Sequence, residues 1–138
     1  EPFMLLYHCN FGYPLLSEDT EVTVHGGKIT PLGENSRDPR HMCEPSPDAK
    51  EELFLCENAD SGTVYNRKLR LGVTLSFTTG NLPCLVEWKN MMSHEYVVAL
   101  EPCNTYGMNR ETIERTGKIA VLRAGDTAVN ELVFKITE

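Results

Sequence analysis

The chain has 138 residues, 41% of them hydrophobic, with 13 basic against 20 acidic side chains and a formal net charge of −7. That is enough apolar material for one domain with a buried core, while the acidic balance repels a phosphate backbone and argues against nucleic acid as a partner. No apolar run approaches the roughly 20 residues that span a bilayer, and the first residues lack the basic flank and cleavage site of a signal peptide, so no membrane partner is expected.

Residues 3–16 read as an apolar strand that sends Met4, Leu6, His8 and Asn10 to one face and Phe3, Leu5 and Tyr7 to the other, until Gly12 and Pro14 stop it. Residues 20–25 alternate around Val22 and Val24, and His25-Gly26-Gly27-Lys28 predicts a turn that closes a hairpin. From 31 to 50 the chain is polar and rich in breakers (Pro31, Gly33, Pro39, Pro45 and Pro47), which predicts a long surface connection of the kind that often binds ligands. Two short strands follow at 53–57 and 63–67, separated by a predicted turn over 58–62.

The cleanest signal lies at 70–77, where a strict period of two directs Leu71, Val73, Leu75 and Phe77 toward a core and Thr74 and Ser76 away from it. After a turn at 79–81, residues 84–89 place Cys84, Val86 and Trp88 on one side and Leu85, Glu87 and Lys89 on the other. Residues 95–101 then return antiparallel through 90–94. The stretch 104–116 is polar, with one short helical turn within 109–115, and the last strands fall at 118–123 and 129–136, the latter with Leu132, Phe134 and Ile136 on one face. Short strands, frequent turns and little helical periodicity predict an all-β, antiparallel β-sandwich, with residues 1–138 forming a single domain.

Two polar intrusions carry the chemistry. His8 ends one apolar strand and Glu101, followed at once by Pro102, ends another. An imidazole at a strand end is placed to exchange protons, and a carboxylate at the rim of an apolar surface has its pKa raised toward neutrality, which suits a general base. The same pattern also describes a satisfied core histidine and a glutamate facing solvent. The five cysteines, Cys9, Cys43, Cys56, Cys84 and Cys103, are widely spaced without a Cys-x-x-Cys pair, so they read as reduced thiols of a cytoplasmic protein rather than a disulfide framework. His41 and Cys43 offer two zinc ligands, but no second pair stands at ligand spacing, so neither metal nor cofactor is expected.

The runs 6–16 (Leu-Tyr-His-Cys-Asn-Phe-Gly-Tyr-Pro-Leu-Leu), 82–89 (Leu-Pro-Cys-Leu-Val-Glu-Trp-Lys) and 96–104, centred on Leu100-Glu101-Pro102, together resemble the C-terminal half of aldose 1-epimerase-like proteins of the galactose-mutarotase-like superfamily. The resemblance implies a portion of a supersandwich, a sugar substrate, and catalysis without a cofactor. It gives His8 the role of acid toward the sugar ring oxygen and Glu101 that of base toward the anomeric hydroxyl. It departs from the mutarotase pattern after the histidine, where Asn10-Phe11-Gly12-Tyr13 replaces the usual residue followed by Tyr-Phe-Asn-Leu, so hydrogen bonding near the sugar, and with it the substrate, is expected to differ. It also implies a missing N-terminal half, upstream of Glu1, that would supply further strands and substrate-binding basic residues; an isolated chain would then expose apolar surface or self-associate.

Candidate substrate contacts are Asn10, Trp88, Lys89, Asn104 and Arg110; Trp88 offers a flat face for a pyranose, though a lone tryptophan on an alternating strand is equally a core residue, and the polar four are equally ordinary surface residues. The reaction asks for an acid and a base on either side of a sugar whose two reacting oxygens share one carbon, which predicts His8 and Glu101 roughly 5 to 9 Å apart on one concave surface. The alternative is a non-catalytic carbohydrate-binding β-sandwich module, which has no need of a matched acid and base. A third reading is a structural β-domain of a larger assembly.

Overall fold

The computed structural model describes residues 1–107 and 109–138. Its elements, in chain order, are β1 (Pro2–Phe3), β2 (Cys9–Phe11), β3 (Thr20–Pro31), β4 (Glu52–Asn66), β5 (Leu71–Phe77), β6 (Cys84–Met92), β7 (Glu95–Cys103), α1 (Arg110–Thr116), β8 (Ala120–Val121) and β9 (Leu132–Thr137). Every pairing between these strands is antiparallel, and the architecture is the expected all-β sandwich with one short helix. Among the described residues no helix is long and apolar enough to cross a membrane.

The sheet is organised around β4. Its first half pairs with β6, from Glu52 opposite Lys89 to Glu57 opposite Cys84, and its second half pairs with β5, from Ser61 opposite Ser76 to Asn66 opposite Leu71. β3 runs along its other side, and the order β2-β7-β6-β4-β5-β9 completes seven strands with β3. The second half of β4 curls back over β6 and β7: a Cβ added at Gly62 would meet the Leu100 side chain at 2.9 Å and that of Leu85 at 3.2 Å. Between the layers lies the main core, where Val22, Cys56, Val64, Leu75, Phe77, Leu85, Val98 and Leu100 are buried. Leu71 and Val73 pack on its edge while Ser76 is exposed, as the period of two requires.

Three expectations change. The predicted turns at 25–28 and 58–62 are not turns, because β3 and β4 run continuously through both. Gly26, Gly27 and Asn58, at φ of 75°, 65° and 61°, lie opposite one another where the register shifts between His25 and Gly26, so the turn-forming residues make a bulge that bends the pair without leaving the sheet. The strand predicted over 3–16 is interrupted, for its backbone is divided among partners: β1 pairs with β8, Leu5 bonds Asn104, Leu6 bridges Cys103, and β2 pairs with β7. The strands expected at 118–123 and 129–136 shrink to β8 and β9. The helical turn is found, capped by Asn109, whose side chain accepts from the Thr112 amide, and closed by the left-handed Gly117.

Candidate active site

β7 sits between β2 and β6, and its register brings the two polar strand ends together. Cys9 opposes Leu100 and the Tyr7 amide donates to the Pro102 carbonyl at 3.0 Å, which sets His8 across from Glu101. On the other side Val86 opposes Glu101, while both Trp88 and Asn10 oppose Ala99. Directly opposed residues share a face. His8, Asn10, Trp88, Ala99 and Glu101 therefore share one face of the sheet, turned away from the main core, with a smaller apolar cluster of Leu55, Cys84, Val86 and Cys103 beside them.

The His8 Nε2 atom lies 2.9 Å from Glu101 Oε1, with the imidazole side chain 48% exposed and the carboxylate only 5%. The His8 ring stands edge-on to Trp88, with centroids 5.6 Å apart at 70°. Burial raises the Glu101 pKa above the ordinary carboxylate value, and the nearby imidazole pulls it partly back down. The same carboxylate, after burial itself, pushes the neighbouring Cys9 thiol upward. The pair thus consists of a buried carboxylate that takes a proton readily and a half-exposed imidazole within ion-pairing distance of it. Such a pair can accept a proton from one ligand oxygen and deliver one to another.

The separation differs from the expected 5 to 9 Å. Opposed positions on paired strands hold their Cβ atoms roughly 4.5 to 5.5 Å apart, so two long side chains in register meet when nothing lies between them. A ligand that engages both groups has to enter between them, and His8 is the solvent-facing partner.

The remaining expected contacts scatter. Asn10 is exposed on the site's face and stays available. Lys89, expected beside the sugar, is fully buried on the opposite face, because it alternates with Trp88; its ammonium donates to the main-chain carbonyls of Asp38 and His41, the latter at 3.0 Å. Asn104 is used structurally: its Oδ1 accepts from the Leu5 amide at 2.8 Å and its Nδ2 donates to the Phe3 carbonyl at 3.3 Å, clamping the first residues to the sheet. Arg110 is tied to Glu114 one helical turn along α1 at 2.8 Å. The apolar flank beside the pair joins Val86, which alternation already sets on the side of Trp88, to Leu55, which only the strand register reveals. His41 and Cys43, the suggested zinc donors, are committed separately: His41 Nδ1 pairs with Asp38 Oδ2 at 3.0 Å, and the Cys43 amide donates to Met91 Sδ. Among the described residues no group of three or more metal-ligating side chains occurs.

A family model with the description "Domain of unknown function (DUF4432)" matches residues 1–136. No curated protein matches the chain. Among solved structures, the crystal structure of a "putative aldose 1-epimerase" from Klebsiella pneumoniae subsp. pneumoniae MGH 78578 is similar over 99% of this chain, with a TM-score of 0.81 and 23% identity. The likeness is one of fold. The chain spans 38% of that protein's length.

Proposed function

We propose that this chain, which belongs to the DUF4432 family, is the acid–base portion of a protein that interconverts the α and β anomers of an aldose, with Glu101 as base and His8 as acid. The observation that carries the reading is the 2.9 Å contact between a half-exposed imidazole and a buried carboxylate, beside an indole, on a face that does not serve the main core. A general acid–base pair needs groups that titrate near the working pH, and burial moves Glu101 in that direction.

In the proposed reaction Glu101 removes the proton from the anomeric hydroxyl while His8 delivers one to the ring oxygen. The bond between the anomeric carbon and the ring oxygen breaks to give the open aldehyde. Rotation about the next carbon–carbon bond and closure on the other face return both protons by the reverse path. Trp88 offers the apolar face of the sugar a surface, and Asn10 a hydrogen bond to a hydroxyl. The chain is one half of a larger sandwich in this reading, the other half supplying further sugar contacts; the 38% span of the similar structure is in keeping with it. A cytoplasmic location suits Cys56, Cys84 and Cys103, which are buried free thiols.

Polarimetry on freshly dissolved anomers of a panel of hexoses and pentoses tests the proposal. The expected result is faster mutarotation that falls by roughly a hundredfold or more in His8→Ala and in Glu101→Gln. A second reading, a non-catalytic carbohydrate-binding module, draws on the closed state of the pair, which leaves both groups satisfied without a substrate. Sugar binding with no change in mutarotation rate selects that reading.

A further inference from the structure

A second ionisable cluster lies on the face of β6 opposite the His8–Glu101 pair. Glu87 and Lys89 are both almost wholly buried there, and the register sets Phe54 against Glu87 and Glu52 against Lys89. The Lys89 ammonium stands 3.4 Å from Glu52 Oε2 and 5.5 Å from the centre of the Phe54 ring, and it donates to the Asp38 and His41 carbonyls of the 32–51 connection. Glu87 Oε1 and Glu52 Oε2 are both shut off from solvent and accept no hydrogen bond among the described residues. One buried cation therefore faces a buried carboxyl group, Glu87, and a mostly buried one, Glu52. Were both ionised, one negative charge would be left uncompensated in the interior, a state that proteins avoid by keeping a proton on the group. Glu52 stands within ion-pairing distance of Lys89, whereas among the described residues no cation comes that close to Glu87, which leaves the proton to Glu87.

We infer that Glu87 is a proton-linked latch, a neutral acid while residues 38–41 are docked on β6, whose ionisation draws Lys89 away from the Asp38 and His41 carbonyls and loosens that segment. The groups that face Glu87 are consistent with this role. Burial raises its pKa to about 8, Lys89 opposes the rise, and Glu52 on β4 and Asp38 in the connection add to it. Cys56 on β4, itself pushed to about 11 by burial and then by Glu87, stays a neutral thiol. The segment is docked on β3 by a second set of ties, in which the Val22 amide donates to the Arg40 carbonyl at 2.7 Å, the Met42 amide to the Thr20 carbonyl at 3.3 Å, and Arg40 pairs with Glu21 at 2.9 Å, so the two amides report whether it stays docked. The ladders of β3 with β4 and of β4 with β6 do not use residues 38–41, so ionisation loosens the segment without unfolding the sheet.

The test compares backbone amide exchange at Val22 and Met42, corrected for intrinsic rates, at pH 6.5 and pH 9.5 in the wild-type chain and in Glu87→Gln. The expected result is a fall in protection of about tenfold or more at both amides in the wild type and a much smaller change in the variant. Infrared difference spectra of Glu101→Gln, which removes the other buried carboxyl held above its ordinary value, provide a readout that does not depend on Glu87→Gln folding: a buried protonated-carboxyl band is expected at pH 7 and disappears by pH 9.5. Protection that falls equally in both proteins, unchanged protection in the wild type, or the absence of a protonated carboxyl at pH 7 overturns the inference.

Discussion

Trp88 and Lys89 are neighbours in sequence and opposites in surroundings, and the contrast separates a site residue from a structural one. Trp88 touches His8, whereas Lys89 is sealed beneath the 32–51 connection with Glu52 as its only ion-pair partner among the described residues. Lys89→Ala empties a fully buried site, removes the partner of the mostly buried Glu52 and leaves the Asp38 and His41 carbonyls without their donor, and a loss of about 3 to 5 kcal/mol in denaturant unfolding is expected; Lys89→Met, which keeps the apolar stem, is expected to cost less. On the proposed function, neither change should alter sugar affinity in the protein that remains folded. The sign for Glu101 runs the other way from an ordinary ion-paired carboxylate. Its pKa is raised, so the folded chain holds this proton more tightly than the unfolded chain, and the associated stability is full below the ordinary carboxylate value and lost as pH rises through the raised one. His8 acts to lower that pKa, so in His8→Ala the carboxyl should titrate at higher pH than in the wild type, as followed by carbon-13 NMR of the glutamate side chains. An unchanged or lower titration point would separate the two groups electrostatically and remove the basis for treating them as a pair. Alternation alone had already set Trp88 and Lys89 on opposite faces of one strand. The two cannot both face one sugar on that pattern, whereas His8 and Glu101 are legible because a polar group at the end of an apolar run stands out without any knowledge of register.

At the level of elements, what was legible in the sequence depended on whether a pattern is local. The strand β5 is spelled out by Leu71, Val73, Leu75 and Phe77, and the Asn109 cap and the Gly117 stop bracket the helix, because each of these signals is complete within one segment. Gly26-Gly27 and the stretch 58–62 carry equally strong turn chemistry, yet the two lie opposite each other in one antiparallel pair, a fact that exists only after β3 and β4 have met. Residues that relieve strain in a turn relieve it in a bulge by the same means, a positive φ. Gly27 is the most constrained of them, since a Cβ there would fall 1.9 Å from the Glu57 carbonyl oxygen. Gly27→Ala is therefore expected to lower the melting temperature by many degrees, whereas Gly80→Ala, where an added Cβ meets nothing within 4 Å, should change it little. Similar effects from the two substitutions would mean that the bulge is not under the steric constraint described.

For the whole molecule the informative surface is the edge formed by β9. It pairs with β5 on one side and ends the sheet on the other, and its residues Val133, Phe134 and Ile136 are 49%, 53% and 68% exposed, on both faces of the strand. Leu69, half-exposed, lies in the link just before β5. Only Lys135 and the terminal polar residues interrupt this apolar edge, a weak defence against further strand pairing. The similar solved structure is a much longer chain, and the proposal that this chain is one half of a larger sandwich gives that edge a role as the place where further strands continue the sheet. The chain alone is then expected to bind a hydrophobic dye or to self-associate with rising concentration, measured by dye fluorescence and by sedimentation velocity. Phe134→Lys together with Ile136→Lys should abolish both while leaving the melting temperature nearly unchanged, because neither side chain contributes to the main core. A double variant that melts far below the wild type would show that these residues are buried in the isolated chain. Equal dye binding in both proteins would move the open surface elsewhere. A wild-type chain that stays monomeric and dye-silent would argue that the edge is closed as it stands, and the half-sandwich reading would lose its structural support even if the His8–Glu101 pair proved catalytic.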